Sequence, residues 1–564
     1  MRQKWWEKMS PSGFLAQDSR HQPRRISTLF LILTLTLGLA QIYACRYELD
    51  PDSMDYLDIA RQVAAGHWAA VANGYWGTLN SVLLAPLFFF HQAPALELAL
   101  AHLQGILILL AAFFSFRFFL HTYLDTLNKP IVAVADSRSL PEWALSLLGY
   151  GLFLWTSLVL VPVKTIGPDL LVTVFVYLAA AMLLSLSADA PLRSFLFFGL
   201  VLGVGYWTKA IMFPIGLIFL CVSIVKVRNW KRSLTSVLAF SIAAAPLLLA
   251  LSLPRDRFTF GDSGKLNYSS FVNPGGRTIN WQGDPVGSGV PKHPTRRIAG
   301  ELPIYEFNGP IAGTYPPSYD PSYWNQGRRA TFNPRAQLTV VARHVPNVAE
   351  LFFVAQPSLT AGFLFLLFWC PPLFLRNLIR RWDLLAISVA IVGLYMLVHF
   401  ETRFVGAFVI FLWLSAFIAL RVPADGVAQR IAGLSIVALV AAMLLSLTSN
   451  LAKNMAAGCP ESALSNVEMA QQLDLPPGTP VAVVGQGNFA YWAHLSQVHI
   501  VSEIMGTEET DFWRLPADKR QHLYAAFRTT GAQWLIAQPP NVLIDALDAG
   551  WQQIGTTTYY RYRL

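Results

Sequence analysis

Long apolar runs separated by short polar connections dominate the chain. A helix needs roughly 20 apolar residues to cross about 30 Å of hydrocarbon. The runs near 26–45, 95–116, 142–161, 168–187, 194–208, 210–225, 233–253, 358–375, 383–399, 404–420 and 430–449 therefore predict about eleven transmembrane helices. Alternate connections are basic: Arg117 to Arg138, Arg193, Lys226 to Arg232, Arg376 to Arg381, and Arg421 to Arg430. With Arg2, Lys4, Lys8, Arg20, Arg24 and Arg25 they form one consistent set, which the bias of Lys and Arg places in the cytoplasm. Residues 1–25 then read as a cytoplasmic segment ahead of an uncleaved anchor, because the first apolar run has no small-residue cleavage site.

Within a transmembrane domain of residues 26–450, the loops 46–94 and 254–357 face the other side, as does everything from 451 to 564. Connections this long are uncommon unless they serve function. The 254–357 stretch is dense in Pro, Gly, Tyr, Trp and Asn and reads as an ordered, substrate-facing loop with little regular structure. After Pro476, short apolar strands at Val481 to Val484, His499 to Ile504 and Trp534 to Ala537 alternate with helical stretches such as Pro516 to Thr529. That pattern predicts a small extracytoplasmic α/β domain.

Composition supports the membrane reading. The 564 residues are 54% hydrophobic and 13% charged, against about a quarter charged in soluble domains. The net charge of +9 is scattered through loops and concentrates no basic face, which argues against a nucleic-acid partner. Four cysteines make no disulfide framework and match no zinc spacing. Cys221 and Cys370 fall near the cytoplasmic side; Cys45 and Cys459 share the outer face, where a disulfide and two free thiols both remain open.

The densest chemistry follows the first helix: Glu48, Asp50, Asp52, Asp55 and Asp58, then Ile59-Ala60-Arg61. If Asp52 to Ala65 is helical, Asp52, Asp55 and Tyr56 share one face, continued by Ile59 and Val63. Acids also suit a helix start, so capping is the alternative for any one of them. Lys209 sits at a hairpin between two apolar arms too short to reach the outer surface, and a lysine below the interface is costly unless used. Snorkelling to the headgroups is its alternative. Asp169 follows Pro168 at a helix start, which fits capping as well as function. His399, Glu401 and Arg403 cluster at another outer helix end, as a paired group or as headgroup anchors.

Asp52-x-x-x-Tyr56-x-x-Ile59-Ala60-Arg61, then Gly66-x-Trp68, and Tyr75-Trp76 running into Leu83-Leu84-Ala85-Pro86 resemble the first outer loop of GT-C glycosyltransferases. Within that superfamily the likeness is to protein O-mannosyltransferases and lipid A aminoarabinose transferases. Gly167-Pro168-Asp169-Leu170-Leu171, Tyr206-Trp207-Thr208-Lys209 and His399-x-Glu401-x-Arg403-Phe404 are similar in kind, and the likeness covers most of the membrane part. The resemblance implies a polytopic α-helical GT-C fold and inverting transfer of a sugar from a polyprenyl-phosphate donor to an extracytoplasmic acceptor: lipid A, another glycan, a glycolipid or a protein. It puts Asp52 at the catalytic aspartate's position, with Asp55 in reserve. Lys209 and Arg403 would hold the donor phosphate, and Tyr56, Asp169, His399 and Glu401 would line the substrate. No cofactor is required. Ser53 stands where the family often has Glu, which leaves open whether a divalent cation assists. A bacterial inner membrane fits.

Gly485-x-Gly487-x-x-Ala490 after a strand, with Glu503 further on, approaches a dinucleotide fingerprint. The intervening helix is too short for a Rossmann unit, and tight turning is the expected use of these glycines. A transporter or lipid flippase is the rival class, and an inactive scaffold a third. Transporters place ionisable groups near the midplane on repeated, interrupted helices, whereas here most helix middles lack charge and no repeat relates the halves.

Overall fold

The computed structural model describes residues 22–564 except 90–93, 127–136, 274–294, 299–301, 308, 310–312, 324–329, 369–373, 541, 543 and 545–546. Most of the predicted cytoplasmic N-terminal segment, and Cys370, lie outside the described residues.

Each predicted apolar run is helical where it is described. Apart from the short helices Pro316–Tyr319, Phe374–Ile379 and Glu509–Arg514, the α-helices in chain order are α1 (Gln22–Ala44), α2 (Pro51–Ala64), α3 (Leu79–Phe88), α4 (Pro94–Asp125), α5 (Glu142–Trp155), α6 (Asp169–Ser185), α7 (Leu192–Tyr206), α8 (Met212–Val227) and α9 (Trp230–Ser252). They continue with α10 (Ser263–Phe271), α11 (Pro334–Phe353), α12 (Pro357–Leu367), α13 (Trp382–Met396), α14 (Thr402–Ala419), α15 (Gly426–Ala457), α16 (Glu461–Gln472), α17 (Tyr491–Leu495) and α18 (Ala517–Thr529). Among the described residues, six helical segments are long and apolar enough to cross a membrane: Arg24–Ala44, Leu96–Asp125, Glu142–Leu160, Trp230–Arg255, Thr402–Ala419 and Gly426–Ala457. The bent pair α11 and α12, at 73° to each other, adds a seventh if counted as one span. The runs expected at 168–187, 194–208, 210–225 and 383–399 form shorter apolar helices. Helix length alone therefore accounts for six or seven spans rather than eleven. The molecule is a multi-pass membrane protein.

The bundle is filled by aromatic rings. Phe116, Phe119, Phe153, Tyr177 and Phe411, from α4, α5, α6 and α14, are all buried. Phe116 stacks on Phe153 at 5.0 Å, and Phe119 meets Phe411 at 4.7 Å. Such rings fix helix positions because offset and edge-on contacts have preferred geometries.

The predicted strands appear as β3 (Pro480–Val484), β4 (His499–Ile504) and β5 (Trp534–Ala537), with β6 (Trp551–Gln553) and β7 (Tyr560–Arg563) completing the C-terminal part. One expectation is corrected here. The 254–357 loop has regular structure: α10, the long α11, and a hairpin of β1 (Thr295–Ile298) and β2 (Ile304–Phe307). Asn333 caps α11 by accepting from Ala336 N at 3.1 Å, and Pro334 opens it, the ordinary chemistry of a helix start. The hairpin joins the C-terminal sheet, β2 running antiparallel to β4 with Tyr305 opposite Glu503. The sheet order among the described residues is β1-β2-β4-β3-β5-β7-β6. Its core also takes in Met54 of α2 and Leu266 of α10, so loop, domain and first outer helix share apolar packing.

The glycines after β3 act as turn residues. Gly485 has φ 134°, a conformation that favours glycine. Glu503 accepts from Tyr315 OH at 2.6 Å and from Gly487 N at 3.1 Å, so its carboxylate is engaged within the protein. Cys45 and Cys459 are free thiols, and Cys459 Sγ donates to Ala44 O at 3.2 Å, beside Cys45.

Candidate active site

The site begins with α2. Asp50 is its N-cap, accepting from Ser53 N at 2.6 Å, and Pro51 occupies the first turn. Asp50 thus takes the capping role that was open for each acid, and Asp52, one turn from Tyr56, is left to line a cavity.

Lys209 lies in the tight turn between α7 and α8. Thr208 N bonds to Gly205 O at 3.0 Å, and Met212 N bonds to Lys209 O at 2.9 Å. The segment after α2 is pressed onto this turn, with Leu79 N donating to Trp207 O at 2.9 Å. A Cβ at Gly77 would lie 2.0 Å from Thr208 O, so only glycine allows the approach that sets Tyr75 and Trp76 beside Lys209. Arg255 fastens the segment from outside, donating to Asn73 O at 2.9 Å and pairing with Asp262 at 3.1 Å. Gly77→Ala is expected to destabilise the protein by about 1–3 kcal/mol, as overpacking does, read as a lowered Tm in detergent.

These elements enclose a cavity of about 370 Å³ with α10, the end of α13 and the start of α14. Asp52, Tyr56, Lys209, His399, Glu401 and Arg403 all line it. Asp169 stands directly behind: Lys209 Nζ is 2.6 Å from its Oδ1, and Arg403 Nη1 is 3.7 Å from its Oδ2. Arg403 also reaches Asp52 Oδ2 at 2.9 Å and Glu401 Oε2 at 2.5 Å. His399 Nε2 meets Glu401 Oε1 at 2.7 Å, and the His399 ring stacks on Phe271 at 4.0 Å. The Lys209 ammonium sits 4.1 Å from the centre of the Phe404 ring.

Seven of the eight predicted residues therefore meet in one site. The eighth, Asp55, is fully buried on another side of α2, where Ser318 Oγ donates to it at 2.5 Å. Burial, then the neighbouring Asp58, Asp52 and Asp50, push its carboxyl well above the usual range despite the Ser318 bond. Asp55 thus resembles a neutral acid more than a base. Glu401 is the reverse: burial opposes its charge, but His399 and Arg403 outweigh burial and carry its pKa down to about 2.

Sequence reasoning missed the opposite wall: Tyr75, Trp76, Ser263, Asn267, Phe271 and Tyr395. Tyr75 OH donates to Asn267 Oδ1 at 3.0 Å across it. Tyr75-Trp76 belonged to the motif that suggested the family, whereas no local signal marks Asn267 for this wall.

Isolated exposed ion pairs contribute only about 0–1 kcal/mol. Three pairs that converge on one arginine at a cavity wall, with Asp52 still 33% exposed, suit the positioning of charge for an incoming group better than fold stability.

A multi-pass bundle with an ionic cleft at its helix ends, joined to a small α/β domain, is the fold of this chain. Its structure is similar to that of ArnT from Cupriavidus metallidurans bound to undecaprenyl phosphate, at 12% identity and TM-score 0.52 over 95% of this chain and 97% of that one. It is equally similar to the apo state of ArnT from Cupriavidus metallidurans, at 13% identity and TM-score 0.54 over the same shares. No family model matches the chain, and no curated protein matches it.

Proposed function

We propose that the protein is an inverting glycosyltransferase that moves a sugar from a polyprenyl-phosphate donor to an extracytoplasmic acceptor. One observation carries the reading: Asp52 lies in the same cavity as Lys209 and Arg403, the carboxylate in contact with one cation. Asp52 takes the proton of the acceptor hydroxyl as its oxygen bonds to the anomeric carbon. The bond from that carbon to the phosphate oxygen breaks on the opposite face, and its electron pair leaves with the polyprenyl phosphate. Lys209 and Arg403 stabilise the charge gained there, and Asp169 and Glu401 hold the two cations in place beforehand. The apolar side of the cavity, with Ile211, Pro214, Phe260 and Leu394, suits the first prenyl units. The fold shared with an ArnT bound to undecaprenyl phosphate supports that donor.

This reading keeps eleven crossings, counting the shorter apolar helices, with the N-terminus in the cytoplasm and the cavity and C-terminal domain outside a bacterial inner membrane. The transporter reading is weaker because the ionic groups of the cavity sit at helix ends and turns, not in helix middles.

The test is transfer by the full-length protein in lipid nanodiscs, supplied with polyprenyl-phosphate sugars and envelope extracts. Release of polyprenyl phosphate together with a newly glycosylated acceptor is expected, and a chelator arm decides on the divalent cation. Movement of intact donor across vesicles with no bond broken would overturn the reading in favour of a flippase.

A further inference from the structure

A second ionic cluster lies away from the cavity and is buried. His494 of α17 has no exposed side-chain surface. Its Nδ1 is 2.9 Å from Asp58 Oδ1 and its Nε2 is 2.9 Å from Glu97 Oε1. Ionised carboxylates only accept, so both ring nitrogens must carry hydrogen, which makes the ring an imidazolium. The other groups facing it are Arg61 and Thr314. Arg61 Nη1 donates to His494 O at 2.9 Å and Arg61 Nε to Glu97 Oε2 at 2.9 Å. Thr314 Oγ1 is 3.3 Å from Nδ1, and it donates to Asp58 Oδ1 at 3.0 Å while its backbone N donates to Asp58 Oδ2 at 2.6 Å.

Charge balance gives the cluster its meaning. Asp58 and Glu97 are matched by Arg61 and His494, a neutral set in a buried place where an unmatched charge is strongly destabilising. The four groups come from three elements: α2, the start of α4, and the C-terminal domain. Asp58 is on the helix that carries Asp52. Thr314 begins the short stretch whose Ser318 holds Asp55 and whose Ser318 O accepts from Trp76 Nε1 at 3.1 Å in the cavity wall.

We infer that His494, as an imidazolium bridging Asp58 and Glu97, is the positioning residue that locks the C-terminal domain onto the catalytic helix. The kinetic part of this inference rests on the proposed transfer reaction; the lock itself does not. Burial and Arg61 oppose the charge on His494, but Glu97 and Asp58 outweigh them and place its pKa above the ordinary imidazole value. The lock is therefore complete below about pH 6.5 and is lost as pH rises through the higher folded value.

The experiment follows hydrogen exchange in residues 51–64 and 491–495 of the full-length protein from about pH 6.5 to 9, alongside the kcat and donor KM of transfer. In the wild type, exchange in both segments is expected to rise on the alkaline side while kcat falls and KM holds. His494→Gln is expected to exchange fast at every pH and to lose at least about tenfold in kcat. Glu97→Gln leaves Asp58 balanced by Arg61, needs no imidazolium, and should keep its exchange protection at alkaline pH. The double variant Glu97→Gln/His494→Gln should recover most of what His494→Gln lost.

Wild-type exchange and kcat in His494→Gln, or a double variant no better than the single, would overturn the lock. If His494→Gln fails to fold, Glu97→Gln decides alone, and loss of its alkaline protection would refute the inference. A pH-dependent release without sugar transfer keeps the lock and sinks the transferase reading; transfer without any release does the opposite.

Discussion

Asp52→Asn should lower kcat for sugar transfer by about 10²–10⁴-fold, the range a general base supplies, with insertion and Tm preserved. Asparagine keeps the shape and an oxygen for the Arg403 contact at 2.9 Å, but it cannot take the acceptor's proton. The control is Asp55→Asn. Burial and the neighbouring carboxylates already favour its neutral form, and an amide oxygen still accepts from Ser318. Activity within about threefold of wild type is expected, well below the loss a general base would cause. Single-turnover assays on both variants separate the two acids, and loss in Asp55→Asn with retention in Asp52→Asn would reverse their roles.

Arg403→Ala is the second large effect, about 10²–10³-fold in kcat/KM, as for loss of one preset group that stabilises developing charge. The arginine touches Asp52, Asp169 and Glu401, so its removal leaves three carboxylates facing Lys209 and should also weaken donor binding. Arg403→Lys should recover little, because a point charge cannot span three acids as a planar fork does. A fall in kcat alone with unchanged donor affinity would place the arginine away from the phosphate.

Much of this was legible in the order of residues. The helical spacing put Asp52, Asp55 and Tyr56 on one face; Asp52 and Tyr56 do line the cavity, but Asp55 is turned away from it and buried against Ser318. Lys209 and Asp169 each drew attention separately, yet nothing in their spacing shows that they pair at 2.6 Å. The strands after Pro476 were readable from their short apolar runs, but the hairpin of β1 and β2 was not, because the edge it pairs with lies about 200 residues further on. His494 is farther still from Asp58, 436 residues along the chain. A lone histidine on a short helix carries no local sign of two carboxylates waiting for it. Which aspartate caps α2 was equally closed, since Asp50 and Asp52 both suit a helix start until the backbone chooses one.

The hairpin that crosses into the C-terminal sheet bears on modularity. Residues 451–564 expressed alone would lack two strands and the tyrosine that engages Glu503, while the remaining chain would expose the apolar surface around Met54 and Leu266. The α/β unit cannot be exchanged between relatives as an independent cartridge. Any chimera must carry residues 295–323 with it, and swaps that ignore this should give aggregated protein on both sides of the cut.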